Sequence, residues 1–327
     1  MPPSLINNLG GPKGFGTQFL AATDDGSTAA IDITRAFPGG LTLFGTTYRQ
    51  IYVNNNGNIT FSAPLSQFTP QAIGAGFAAP IIAPFWADVD TRAGQVAGTG
   101  GNSQGSNLVW YNLDPADQTL TVTWDDVGYY SAHADKADAF QLQLIGNGSG
   151  NFQIKFIYQN IAWVTGDASG GQNGLGGTAA RAGYSSGNGL HYFELPASGM
   201  QAELLNLPSG AGNSGLDGIW TFDVTGGVVA PSGLGLAPEI GALAPNTTST
   251  STPTITGFGE SGDTLYVYDS STLIGSTIVG AGGTWSVTVG PLTGGVHRLT
   301  ATETDSRGQI SDVSTPFDLT VETIRRA

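Results

Sequence analysis

Apolar and polar residues alternate along most of this chain in short runs that Gly, Asn and Asp interrupt, a period of two that predicts strands. Ile51-Tyr52-Val53 and Ile59-Thr60-Phe61 flank Asn54-Asn55-Asn56-Gly57-Asn58, residues that tolerate the positive φ of a tight turn, so the segment reads as a hairpin. Phe140 to Ile145 and Phe152 to Tyr158 alternate across a Gly-rich turn at 146–150, which puts Phe140, Leu142 and Leu144 on one core-facing side. Leu108 to Tyr111 pairs in the same way with Leu120 to Trp124 across Asp114-Pro115-Ala116-Asp117. A twisted antiparallel sandwich is expected, with short helices only near Leu65–Phe77 and Ala134–Ala139.

From Gly226 to Pro238 the chain is uncharged and punctuated by Gly and Pro, the composition of a linker. Between Thr254 and Val321 about six short β runs follow at roughly 8–12-residue spacing, among them Thr264–Tyr268, Thr284–Val289 and Phe317–Val321, which is Ig-like. The expected organisation is a large domain at 1–225, a linker at 226–237 and a small Ig-like sandwich at 238–327. Without a disulfide, Trp285 must be held in the small domain by packing alone.

Composition narrows the function classes. Fifty Gly in 327 residues exclude long helices, while 39% apolar residues gathered into runs indicate a chain that folds. A net charge of −14, with three Lys in all, argues against nucleic acid and against anionic membranes, both of which need clustered bases. No apolar run approaches the ~18 residues that span a bilayer. The start, Met1-Pro2-Pro3-Ser4-Leu5-Ile6-Asn7, lacks the basic and apolar regions of a secretory signal, so a fragment, or export on a signal outside it, is expected. Zero Cys suits a bacterial surface protein better than a small stapled ectodomain.

Several ordered blocks carry a family resemblance. Ile81 to Arg92, Ile-Ile-Ala-Pro-Phe-Trp-Ala-Asp-Val-Asp-Thr-Arg, resembles the central signature of the nidogen-like (NIDO) extracellular domain. Tyr52–Phe61 resembles its early hairpin, Thr123–Tyr130 its middle strand, and Trp163–Gly171 with Gly174–Gly177 its late glycine loop, so the likeness extends over residues 37–224. Residues 238–323 resemble the bacterial Ig-like repeats of biofilm adhesins through Gly283-Thr284-Trp285, Pro291–His297, Leu299–Asp305 and Leu319–Thr323. These resemblances imply an all-β fold and an extracellular adhesion or matrix role, and no known catalytic activity.

Asp88 and Asp90 are two apart, so in an extended segment both project from one face and would share a hard cation, with calcium as the candidate; the plainer role is accepting hydrogen bonds, Arg92 among the donors. Asp125 and Asp126 would point to opposite faces, so at most one joins any site. No twelve-residue calcium loop is present. Trp86, Tyr129, Tyr130 and Trp163, with Trp124, would line a sugar-stacking surface or else fill the core. Gly183-Tyr184-Ser185-Ser186-Gly187 with His191 and Asp167 fits a serine-hydrolase pattern only if an elbow lifts Ser185, whereas Gly189–Leu195 reads as a strand. Gly257–Gly262 spells a dinucleotide fingerprint but leads into a strand. His133 with Asp135 and Asp138 is expected to be a solvated loop rather than a base with its carboxylates. Asn58, Asn147 and Asn246 begin glycosylation sequons that would stay bare in a bacterial protein.

The expected function is that of a non-catalytic, exported segment of a bacterial surface protein that binds a matrix or cell-surface protein or glycan through loops of its large domain, without nucleic acid, membrane insertion or a required cofactor. A self-assembling protomer of an extracellular fibre or layer is the alternative, and a serine hydrolase the third.

Overall fold

A computed structural model describes all residues except 75, 149, 190, 226–227, 239–243, 307–308 and 323–327. Ser149 of one sequon, Leu190, Gly226-Gly227 of the expected linker and the closing Thr323–Ala327 therefore lie outside the described residues. The chain divides into two compact units, Met1–Thr221 and Phe222–Ala327. Among the described residues no helix is long and apolar enough to cross a membrane.

The first unit is a β-sandwich. One sheet runs in the order Gln18–Leu20, Leu108–Asp114, Thr119–Tyr129, His133–Gly148 and Asn151–Asn160. The facing sheet runs Tyr192–Glu194, Arg181–Ser185, Ile81–Trp86, Asn58–Thr60, Gln50–Asn54 and Ile31–Asp32. The three expected hairpins form, with Val53 opposite Ile59, Val109 opposite Trp124, and Phe140, Leu142 and Leu144 opposite Tyr158, Phe156 and Ile154. Aromatics join the layers: Phe85 packs 5.3 Å from Phe140 and edge-on to Trp163, and the Tyr158 hydroxyl donates to the Pro84 carbonyl at 2.6 Å. Part of the first sheet's outer face is covered by the N-terminal segment, whose Ile6 backbone bonds both ends of the buried Gln141 amide.

Neither expected helix forms. Residues 134–139 extend the long strand His133–Gly148, where Asp138 pairs with Val127 and the ladder supplies the hydrogen bonds a helix would have made. Ala75 of the other expected helix lies outside the described residues; residues 65–74 are irregular because Pro70 interrupts them and side chains and rings satisfy their backbone: Asn54 accepts from Leu65 N, Glu194 from Ile73 N, and Gln67 O accepts from Trp86 Nε1. The α-helix that forms among the described residues, Gln201–Leu205, is too short to show a period and is held by the buried Leu204.

The second unit packs Ser232–Leu236, Thr254–Phe258 and Thr284–Thr288 as one sheet. A five-stranded sheet runs Thr247–Thr248, Phe317–Val321, Gly295–Thr304, Thr264–Asp269 and Thr272–Ile278. Ile255, Leu265, Val267, Trp285, Leu299 and Leu319 form its core, and Trp285 sits there with its ring nitrogen unpartnered, held by packing. The segment expected as linker contributes Ser232–Leu236, whose Leu234 and Leu236 share a face and pack on this core while its backbone pairs with Thr254–Phe258. Gly257–Gly262 is the strand end and turn before Thr264–Asp269, with no helix to receive a phosphate.

Candidate functional site

The Asn54–Asn58 turn forms and is buried, and its amides tie two loops together. Asn55 Nδ2 donates to Val89 O at 2.6 Å, to Thr23 O at 3.3 Å and to Asp24 O. Asn56 accepts from Val89 N at 3.0 Å and donates to Asp25 Oδ1 at 2.8 Å. The turn thus holds the loop at 23–26 against the segment at 87–92 that follows the central strand Ile81–Trp86.

Three carboxylates meet there. One oxygen each from Asp24, Asp25 and Asp88 lie within 4.8 Å of one another. Asp88 is 2% exposed, and its Oδ2, like Asp24 Oδ1, is buried without a hydrogen-bond partner. Burial, reinforced by the charges of Asp24, Asp25, Asp90 and Asp167, pushes the Asp88 carboxyl up to about 7. Asp24 rises to about 6 through burial and the charges of Asp25 and Asp90, against the opposing pull of Arg92.

The structure separates Asp90 from this group. Although burial works against its charge, Asp90 is held below the ordinary carboxylate range by Arg92, whose Nε and Nη2 reach it at 2.8 and 2.5 Å, and by the Arg92 and Ala132 backbone N–H groups. The plainer role, an ion pair with Arg92, is the one the geometry shows for Asp90. Asp24 and Asp25 were missed in the sequence, although an acidic pair before Gly26 is the turn composition that could have drawn attention to them.

Further loops join the same rim. His133 Nε2 lies 2.8 Å from Asp167 Oδ2, the His133 ring stacks on Tyr129, and Lys136 Nζ donates to Asn173 O. His133 therefore pairs with Asp167 rather than with its sequence neighbours. Asp135 accepts the Tyr129 hydroxyl at 3.0 Å, and Asp138 is buried, accepting from Ala162 N and Trp163 N. Asp125 and Asp126 also serve one loop: Asp126 has a φ of 52°, and together they accept backbone N–H groups of Thr99, Gln104, Gly105 and Ser106.

The hydrolase constellation does not assemble. Ser185 is buried mid-sheet, paired to Ile81 on one side and Tyr192 on the other, and its hydroxyl accepts from Gly187 N. The His191 ring stacks on Phe44, while Asp167 is engaged with His133. The expected aromatic surface does not form: Trp86, Tyr129 and Trp163 are at most 1% exposed, Trp163 packing on Phe85 and Tyr129, and Trp86, on the other side of its strand from Phe85, lying under Phe77 and Gln67. Trp163 Nε1 donates to Val127 O and Trp124 Nε1 to Asn55 O, so these rings are core with satisfied nitrogens. Tyr130 alone of the four candidates is half-buried, with the Arg92 guanidinium 5.9 Å from its ring centre.

Comparison with known proteins follows the two units. The model described as "Nidogen-like domain" matches residues 49–226, and that described as "Bacterial Ig-like domain" matches residues 239–323. Alpha-tectorin of Mus musculus is 35% identical over 233 residues, covering 64% of this chain and 10% of that protein. Nidogen of Drosophila melanogaster is 30% identical over 198 residues, covering 55% and 14%. The chain thus spans about a tenth of the length of the alpha-tectorins it matches. A solved structure titled "Biofilm associated protein - BSP domain" overlaps with a TM-score of 0.24 at 17% identity, over 64% of this chain and 28% of that one, too loosely to define a fold.

Proposed function

The chain belongs to the nidogen-like domain family, and from that membership we propose that it is a non-catalytic extracellular adhesion segment of a bacterial surface protein. The observation that carries this reading is the cross-linked rim of the first unit, where loops at 21–26, 87–92, 131–136 and 166–177 are tied by Asn55, Asn56, Arg92–Asp24, Ala132–Asp90 and His133–Asp167. Loops stapled to a rigid sandwich present polar groups in one arrangement at small entropic cost on binding. Half-exposed Arg92 and His133 and exposed Gln172 and Asn173 are such groups. Matrix or cell-surface protein or glycan is the partner class, and the Ig-like unit acts as a spacer. Relatives named alpha-tectorin and nidogen support an extracellular setting, and the bacterial Ig-like match supports a bacterial one.

The test is binding of the full chain to surfaces coated with extracellular matrix proteins or glycans. Gln172→Ala with Asn173→Gly, glycine being free to keep the φ of 54° at 173, is expected to weaken retention while the melting temperature holds. Retention indifferent to these substitutions, or none above background, would remove the reading.

Self-assembly is the second reading, favoured by the edge strand Thr272–Ile278, which exposes Leu273 at 52% and Ile278 at 67%. Light scattering that grows with protein concentration and is suppressed by Ile278→Lys would favour it over adhesion by a monomer.

A further inference from the structure

Asp88 presents a problem that the protein alone leaves unsolved. Its carboxylate is 2% exposed, accepts no hydrogen bond at Oδ2, and faces carboxylate oxygens of Asp24 and Asp25 within 4.8 Å. Like charges gathered away from water must be neutralised or met by a cation. The nearby guanidinium of Arg92 is committed to Asp90 and reaches Asp24 only at Oδ2, 3.1 Å away, leaving Asp24 Oδ1 unpartnered. Gly166 makes room for the arrangement, since a Cβ there would come within 2.6 Å of Asp88 Cγ. The geometry points to a calcium-binding site formed by Asp24, Asp25 and Asp88, independent of whatever the rim binds.

The donor set selects the ion. Carboxylate oxygens suit a hard cation, and oxygens up to 4.8 Å apart fit across one calcium ion, whose ligands lie at about 2.3–2.6 Å. Magnesium, with ligands at about 2.0–2.1 Å and a strict octahedron, fits this spread less well. Half-buried Asp24 and Asp25 leave a side open to water, which completes the coordination. The ion bridges the loop at 23–26 to the segment at 87–92, adding a charged cross-link to the contacts that Asn55 and Asn56 already make.

The experiment uses the full chain, stripped with a chelator, and calcium chloride as the probe, followed by calorimetric titration and thermal melting. One saturable site is expected, tighter than about 1 mM, with a melting temperature that climbs with calcium by mass action. Asp25→Asn is expected to weaken affinity at least about tenfold by removing one of three charges, and Asp88→Asn to abolish binding. Without calcium, Asp88→Asn should melt no lower than the parent, because it loses an unpartnered charge. Should Asp88→Asn fail to fold, Asp25→Asn decides, since its amide oxygen still accepts from Asn56. No heat and an unchanged melt at about 10 mM calcium, tenfold above the weakest extracellular sites, would overturn the site. Equal stabilisation of parent and variants, or a larger rise with magnesium, would overturn it as well.

Discussion

Gly166 stands against the side chain of Asp88, so that a Cβ at 166 would fall 2.7 Å from Asp88 Cβ and 2.6 Å from its Cγ. With φ −82° and ψ 164°, Gly166 has an extended backbone open to any residue, so space and not backbone strain requires the glycine. Gly166→Ala is accordingly expected to destabilise the chain by about 1–3 kcal/mol, the range for overpacking a closed interior. Urea unfolding measures it, and a loss below a few tenths of that range would mean the loop simply swings aside.

Asp138 is fully buried, with one oxygen bonded to Ala162 and Trp163 N–H groups and the other unpartnered. Burial, with the Asp126 charge adding to it, holds this carboxyl well above the usual range despite the two backbone donors. The folded state therefore keeps a proton that the unfolded chain releases near pH 4, and stability falls as pH rises from there toward the folded pKa. Asp138→Asn keeps an accepting oxygen and removes the titration. The variant should gain on the parent as pH rises above about 4 in parallel urea melts, and parallel curves would contradict this.

His297 in the second unit lies between two acceptors, with Nδ1 2.7 Å from Asp269 Oδ2 and Nε2 2.8 Å from Thr293 O. Burial works against the charge, but the Thr293 carbonyl and the Asp269 carboxylate together hold the imidazole above its usual value. A raised His pKa stabilises fully below about pH 6.5 and the contribution is lost as pH rises through the folded value. The ring resonances should titrate with a midpoint above about 6.5, and His297→Gln should flatten the loss of stability on the alkaline side. A midpoint at or below the free-histidine value would be the contrary result.

Trp163 and Tyr130 separate core from surface. Trp163→Ala removes a ring packed on Phe85 and Tyr129 and is expected to cost about 3–5 kcal/mol. Tyr130→Ala, at a half-buried rim position under Arg92, is expected to cost well under half as much. Thermal and urea melts of the two variants provide the comparison, and equal losses would mean that Tyr130 also belongs to the core.

The hairpin partners Val53 and Ile59, and the shared face of Phe140, Leu142 and Leu144, were legible because strand period and turn composition are set by residues close in the chain. The helix expected at 134–139 failed for the opposite reason, since the decisive partner of Asp138 is Val127 on the neighbouring strand. At 226–237, Gly and Pro outweighed the alternation of Leu234 and Leu236, which only the core of the second unit converts into a strand.

The same divide runs through the candidate site. Sequence spacing joined Asp88 to Asp90, but Arg92 captures Asp90, and the loop at 23–26 brings Asp24 and Asp25 to Asp88 instead. Residue type marked Trp86, Tyr129 and Trp163 as able to stack on a ligand, whereas segments distant in the chain, Phe77 and Gln67 over Trp86 among them, bury all three. The chain's own pattern determined the all-β class and the pairing of neighbouring strands, which follow from local periodicity, and its motif blocks carried the family resemblance. Tertiary structure decided which carboxylates share a space and which aromatics meet water, because desolvation and charge proximity depend on segments that only the packing of two sheets brings together.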